Sequence, residues 1–201
     1  MKIPTTYPPG TVRALLDTPA VSPATRKALQ QRLHASQQPY EPRFFEPAAF
    51  VLLRAVCQRL LGQADPPLVE VAYCIDTRLH LQQADGWRYD ALPPDADSYQ
   101  LSLRGLQQTA QARHGQDFVA LPGPAQDALL TAFQRGTIEG KAWQGFDAAL
   151  FFQDLLAEVT SLFYAHPLAQ EEIGYMGMAD LPNWTHIGLN QRDPREPEPT
   201  D

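Results

Sequence analysis

From Glu46 to Gly62 the apolar residues Ala49, Phe50, Leu53, Val56, Cys57, Leu60 and Leu61 recur at intervals of three and four. That period predicts an amphipathic helix, opened by Glu46 and Pro47 and stopped at Gly62. Ser22 and Pro23 read as the N-cap and first residue of an earlier helix, TRKALQQRLHA, reaching Ala35. After a loop, SQQPYEPRF, and that best-defined helix, Pro66 and Pro67 are expected to start VEVAYCIDTRLHLQQ. Its β-branched residues suit a strand, but its length favours a buried helix. DGWRYDALPPDAD, residues 85–97, is a long loop with two aromatics. Ser98 is expected to cap a helix to His114, with Leu103, Leu106 and Ala110 inward and Gly115 as its stop. Pro124 starts a short helix through Phe133. FDAALFFQDLLAEVTSLFYA, residues 146–165, is apolar around most of its girth, as central helices are.

No alternating strand pattern and no internal repeat interrupts this series. The expected fold is all-α: a single helical domain of about six helices over residues 1–165, then a long irregular C-terminal arm over 166–201. In the arm Pro167 and Pro182 break helices, and Gly174, Gly177 and Gly188 bend the backbone, while Tyr175, Met176, Met178, Trp184 and Ile187 are apolar. Burying each such side chain is worth about 1.5–3 kcal/mol, so something has to cover them. The arm is expected to pack partly on its own helices and partly on a partner, with Tyr175 and Trp184 as anchors.

The chain has 201 residues, 44% of them hydrophobic, enough for one core. Its formal charge of −7, with no basic run, argues against nucleic acid. No stretch approaches the ~20 apolar residues of a bilayer span. The start, MKIPTTYPPGTVRALLDTP, has neither a twin arginine nor an apolar run before a cleavage site, so the expectation is a soluble chain without a signal peptide.

Catalytic patterns are missing from the sequence. Gly174 and Gly177 follow the last helix and form no phosphate loop. There is no Glu-x-x-His, His-Glu-x-x-His, Cys-x-x-Cys or Cys-x-x-Cys-His, hence no expected metal, haem or other cofactor in this chain. His34, His80 and His114 lie near predicted helix C-termini, where they serve the exposed carbonyls. His166 and His186 are candidates for partner contact or, as a remote reading, acid–base chemistry. Asp154 and Glu158 are four apart on one helix and read as a solvated acidic face. Glu171 and Glu172 point to opposite sides if extended, leaving one of them to anchor the arm. Cys57 and Cys74 both read as inward on consecutive helices, ~7 and ~10 Å from the turn between them. They stay open between a disulfide and two buried thiols.

Phe44-Phe45, GQDFVALPGPAQ with Gly115, Phe118, Leu121 and Gln126, Phe151-Phe152, and above all YAHPLAQEEIGYMG give the chain a family likeness. In this order and spacing it resembles the gluconate 2-dehydrogenase subunit 3 family, from about Tyr7 to Arg195. Tyr164, His166, Pro167, Glu172, Ile173, Gly174, Tyr175 and Gly177 match that family's characteristic ending. The resemblance implies an all-helical accessory subunit with no cofactor of its own. Its large flavoprotein partner, of the glucose-methanol-choline oxidoreductase type, holds FAD and oxidises a sugar or alcohol hydroxyl, and a cytochrome c subunit often takes the electrons. It also implies a role in stabilising, maturing or exporting the large subunit. Location is then periplasmic as part of a complex if a partner carries the chain out, and cytoplasmic otherwise. The arm residues Tyr164, His166, Pro167, Glu172, Ile173, Gly174, Tyr175, Gly177, Trp184 and Gly188 are the expected partner interface. The alternative is a free-standing helical module that holds a small ligand between its helices.

Overall fold

The computed structural model of the protein describes residues 10–35, 39–84 and 89–175. Among the described residues there is no strand, and the fold is all-α, as predicted. The helices are α1 (Thr11–Leu16), α2 (Pro23–Ala35), α3 (Pro47–Leu60), α4 (Val71–His80), α5 (Asp95–His114), α6 (Gly123–Gln134), α7 (Ala148–Tyr164) and α8 (Pro167–Glu172). Short 3-10 turns at Phe118–Ala120 and Lys141–Trp143 flank α6. The chain forms two compact units, one of Tyr40–Ser161 and one of Met1–Pro39 with Leu162–Asp201.

The central unit, Tyr40–Ser161, packs α3 against α4 and α5. The stripe that predicted α3 is its buried face: Phe50, Leu53, Val56 and Cys57 are inward. Gly62, at φ 63°, ends α3 because the two closing hydrogen bonds, Gln63 N–H to Gln58 O and Gly62 N–H to Arg59 O, require a left-handed residue there. Around α7 an aromatic cluster of Phe133, Trp143, Phe146, Phe151 and Phe152 fills the core. Gly105 on α5 lets the Trp143 indole lie against the helix backbone: a Cβ at Gly105 would stand 2.7 Å from Trp143 Cε2. The indole N–H then donates to Thr109 Oγ1 at 3.1 Å, one turn on.

Two helix starts differ from expectation. Helix α4 begins at Val71 instead of Pro67, because Val69 is bound on both sides by one side chain. Gln63 Oε1 accepts from Val69 N–H, and Gln63 Nε2 donates to Val69 O. Helix α5 begins at Asp95 after Pro94, so Ser98 lies inside the helix; its hydroxyl donates to Pro93 O at 3.0 Å. Asp95 and Asp97 place negative charge in the first turn, where the helix dipole favours it. The Ser98 cap is therefore corrected, while Gly115 closes α5 as predicted, at φ 67°.

In the terminal unit, Val12 and Leu16 of α1 join Val21 and Leu29 in one buried cluster, and α8 packs against α1 and α2. Helix α8 corrects the expectation of an irregular, extended chain after His166. Pro167 sits at the first helical position, where its missing N–H costs nothing. Gly174, at φ 64°, supplies the left-handed residue that closes the helix, with Tyr175 N–H donating to Gln170 O at 2.9 Å. Glu171 and Glu172 are consequently helical neighbours.

Candidate interaction surfaces

In the terminal unit the chemistry starts with Glu171. Its carboxylate is buried, and it accepts from the backbone N–H of Gly10 at 2.8 Å and of Arg13 at 2.9 Å. These are the N-cap and third residues of α1, whose own sequence offers no side-chain cap. Arg13 adds Nε and Nη2 bonds at 3.1 Å each. Burial pushes the Glu171 carboxyl up, but the Arg13 side chain and the two amides outweigh it and leave the group below its usual value. A carboxylate from α8 thus caps α1 across the fold, satisfying amides that would otherwise be orphaned.

His166 caps α8 itself. Leu168 N–H donates to its Nδ1 at 3.3 Å, and Nε2–H donates to Arg32 O at 3.3 Å, a pairing that assigns the neutral ring with the proton on Nε2. Burial is the largest cause holding its pKa below the ordinary histidine value, against the opposite pull of the Arg32 carbonyl. With both nitrogens engaged in capping and packing, His166 is a structural element of this corner. Beside it the outer surface is apolar: Tyr164, Ile173 and Tyr175 are 48%, 49% and 43% exposed. Gln170 ties this surface together, its Nε2 donating to Tyr164 O at 3.1 Å while its own carbonyl accepts from Tyr175 N–H.

The central unit has its own buried acid. Asp76, on α4, has no solvent exposure, and its Oδ2 accepts from Tyr40 OH and from Arg43 N–H, both at 2.7 Å. Its Oδ1 accepts from the backbone N–H of Phe44 at 3.1 Å and of Phe45 at 2.9 Å. Burial raises the carboxyl's pKa, yet these four donors together hold it below its usual value. Burial likewise pushes the Tyr40 phenol up to about 12. One side chain therefore fixes the segment that leads into α3.

That segment forms one end of a groove of about 680 Å³, walled by the start of α3, the middle of α5 and the 3-10 turn at Phe118–Ala120. Phe44, Phe45, Leu52 and Leu103 line it, with Val51 and Val119 standing 53% and 42% exposed along its sides. Gln107 fixes the turn to α5: its Oε1 accepts from Phe118 N–H at 3.2 Å, and its Nε2 donates to Asp117. Arg104 lies on the lining and has no hydrogen bond or ion pair among the described residues.

The sequence-predicted residues distribute unevenly over these features. Tyr164, Glu172, Ile173 and Tyr175 are outward on the α7–α8 corner, Gly174 shapes its backbone, and His166 and Pro167 are buried beneath it. Gly177, Trp184, His186 and Gly188 lie outside the described residues. Cys57 is buried on α3 but Cys74 is exposed on α4, and no disulfide joins them, which corrects the inward placement of both. Helix α4 buries Val71, Ala72, Ile75, Asp76 and Leu79, and Cys74 falls off that stripe. Glu158 is not part of a solvated acidic face. It accepts from Arg78 Nε at 2.6 Å and Nη2 at 2.8 Å, and from Tyr99 OH at 2.6 Å, because α4 and α5 bring those donors to α7. His34 bonds Gln30 O at its helix end, and His80 and His114 lie in last turns, as expected. Sequence reasoning missed Asp76 and passed over which of Glu171 and Glu172 is the anchor; the signal was an acid on the apolar stripe of a helix.

Among the described residues no group of three or more His, Cys, Asp or Glu side chains is placed to hold a metal ion, and no helix is long and apolar enough to cross a membrane. Fold and surfaces define a helical protein whose buried acids bind its own elements together, with apolar side chains turned outward at the α7–α8 corner and in the groove. The family model described as gluconate 2-dehydrogenase subunit 3 matches residues 47–188, well over half of the chain, and the chain belongs to that family. The match includes α3 through α8. Comparison with curated proteins and with solved structures found no match.

Proposed function

We propose that this chain is the non-catalytic small subunit of an FAD-dependent dehydrogenase complex acting on a sugar or alcohol hydroxyl. In this reading it stabilises the large flavoprotein subunit or assists its maturation. The observation that carries the reading is the family match over residues 47–188, to a family described as a dehydrogenase subunit. The local chemistry agrees with it: the buried Asp76, Glu171 and His166 are engaged in holding helices, and each has lost the freedom an acid or base needs. FAD then belongs to the large subunit, and a cytochrome c subunit is a further partner of the complex. Location follows the complex, periplasmic if the partner exports both chains and cytoplasmic otherwise.

The partner contact lies at the α7–α8 corner, with Tyr164, Ile173 and Tyr175 as its exposed apolar groups and Glu172 beside them. His166, Pro167 and Gly174 shape the corner from beneath. Gly177, Trp184 and Gly188, outside the described residues, are assigned to the partner contact from the sequence alone. Exposed aromatics with a polar handle are the residue types that most often anchor interfaces.

Co-expression with a flavin-dependent dehydrogenase of the glucose-methanol-choline type, taken from the same genome, tests the reading. The expected result is a yellow complex that co-purifies on a tag carried by this chain, with all dehydrogenase activity in the complex. The chain purified alone should show neither flavin absorbance nor activity. Stoichiometric FAD bound by the isolated chain, or no flavoprotein captured by it, overturns the proposal.

A further inference from the structure

We propose that His166 is a proton-operated catch on the α7–α8 corner: a second proton on its ring unseats α8 from α2 and, through Glu171, frees the first turn of α1, loosening the surface that holds the partner. The catch itself belongs to this chain alone, while its effect on a partner rests on the reading of the chain as a complex subunit.

The hold on the corner is reciprocal. Arg32, in the last turn of α2, donates from Nη1 to Ala165 O at 2.7 Å, and its own carbonyl accepts from His166 Nε2–H at 3.3 Å. The other ring nitrogen, Nδ1, accepts from Leu168 N–H and caps α8. Both nitrogens are therefore in use, and a second proton has only Nδ1 to go to. There it meets the Leu168 N–H, donor against donor, and the cap is lost. The same proton places a positive charge on a buried side chain at a helix N-terminus, the end where the helix dipole disfavours it.

The charges around the ring do not offset this. Arg32 is the charge that bears on it, and it has the same sign. On α1, Arg13 is engaged with Glu171, whose carboxylate already serves that side chain and the amides of Gly10 and Arg13. On α2, Arg26 is turned to the carbonyls of Leu16 and Thr18, Lys27 is exposed, and His34 bonds Gln30 O. On α8, Glu172 is exposed, as is Tyr164 at the end of α7. Burial holds the His166 pKa below 6.5, so the seated α8 binds fewer protons than the freed one. The catch is shut above pH 6.5 and opens as the pH falls further, by at most about tenfold per pH unit for one proton, until the folded pKa is passed.

Unseating α8 acts at both of its ends. A helix of six residues has few hydrogen bonds of its own and depends on its cap and its packing. Glu171 is carried on α8, so a displaced α8 withdraws the carboxylate from the Gly10 and Arg13 amides. Ile173 and Tyr175 follow directly on α8, and Gln170 ties them to Tyr164 through its bonds to Tyr164 O and from Tyr175 N–H. The first turn of α1 and the apolar contact groups therefore lose their positions in the same event.

The test is amide hydrogen exchange on the full chain at pH 7.5 and 5.5, corrected for the intrinsic rate at each pH, which reads the opening of each segment. In the parent the amides of Gly10, Arg13, Leu168 and Gln170 should open together, up to about tenfold more at pH 5.5. In His166→Asn, whose cap does not titrate, the same change should stay below about twofold, while His34→Asn and Glu172→Gln should keep the parent's rise. The parent's rise should also level off at the midpoint of the His166 ring titration followed by NMR, a check that holds even where the variant fails to fold. Equal opening at both pH values, an equal rise in His166→Asn, or loss of the rise in His34→Asn or Glu172→Gln overturns the catch. With the flavoprotein subunit bound, the four amides should open about tenfold less than in the free chain. Capture without that protection overturns the link between catch and contact. If the parent captures no flavoprotein, the subunit reading fails and the link with it, and exchange in the isolated chain still decides the catch.

Discussion

Replacing Asp76 by Asn changes one atom of a side chain that receives four hydrogen bonds, and the geometry dictates which way the amide turns. With Nδ2 in place of Oδ1, the N–H groups of Phe44 and Phe45 would both face a donor. With Nδ2 in place of Oδ2, only Arg43 N–H is stranded, because the Tyr40 hydroxyl can rotate to accept from the amide and donate to Thr77 Oγ1, 2.9 Å away. The second orientation wins. An unsatisfied buried N–H costs about 1–3 kcal/mol, and the two remaining bonds drop from charge-assisted to neutral strength, a further ~0.5–1 kcal/mol each. Relief from burying a charge offsets part of this, so the expected loss for Asp76→Asn is about 2–3 kcal/mol. Asp76→Ala strands all the donors and leaves a void, and should cost more, about 3–5 kcal/mol. Urea denaturation reads the loss as a shift of midpoint at constant slope. Hydrogen exchange localises it: the amides of Arg43, Phe44 and Phe45 should lose protection in the Ala variant, and Arg43 alone in the Asn variant. Because the folded pKa of Asp76 is lowered from 3.8, its contribution is complete above that pH and is lost only as pH falls through the folded value. A loss below about 0.5 kcal/mol for Asp76→Asn, or equal losses for both variants, would refute the account of this carboxylate as a four-donor clamp.

Two further expectations concern single side chains. The folded pKa of His166 lies below 6.5, so the native state binds fewer protons than the unfolded chain just under that pH; stability is complete above 6.5 and declines as pH falls further. His166→Asn keeps an N-cap acceptor that does not titrate, so its melting profile from about pH 7.5 to 5 should be flatter than the parent's, and parallel profiles would exclude His166 as the cause. Gly105→Ala gains about 1 kcal/mol in helix propensity but drives a methyl into the Trp143 ring, where overpacking costs about 1–3 kcal/mol. The net expectation is a loss of up to about 2 kcal/mol by urea denaturation, and any stabilisation would show that the indole moves aside freely.

What could be read from the sequence was set by length and period. The stripe of α3, the girth of α7 and the stops at Gly62 and Gly115 extend over several turns, and periodicity is unambiguous there. Helices α1 and α8 have six residues each, too few for a period to show, and Pro167 reads equally as breaker and as first helical residue. Cys57 and Cys74 show a different limit: counting residues from a turn gives height along each helix but leaves the direction around it unsettled. Asp76 was legible in principle, since an acid between Ile75 and Leu79 on the inward stripe of α4 demands partners. Which backbone would supply them was not, because Arg43–Phe45 carry no motif and meet Asp76 only through the tertiary fold.

The carboxylate that caps α1 also sets an order of events during synthesis. Glu171 is 161 residues from Gly10 and 158 from Arg13, the two amides it serves. At about 5–20 residues per second, α1 leaves the ribosome roughly 8–30 s before the group that completes its first turn exists. Residues 40–161 are synthesised in that interval and can close their own core first. A chain that stops short of α8 therefore displays a first helix whose Gly10 and Arg13 amides lack the carboxylate that caps them. The state of α1 becomes a signal of whether α8 has been made.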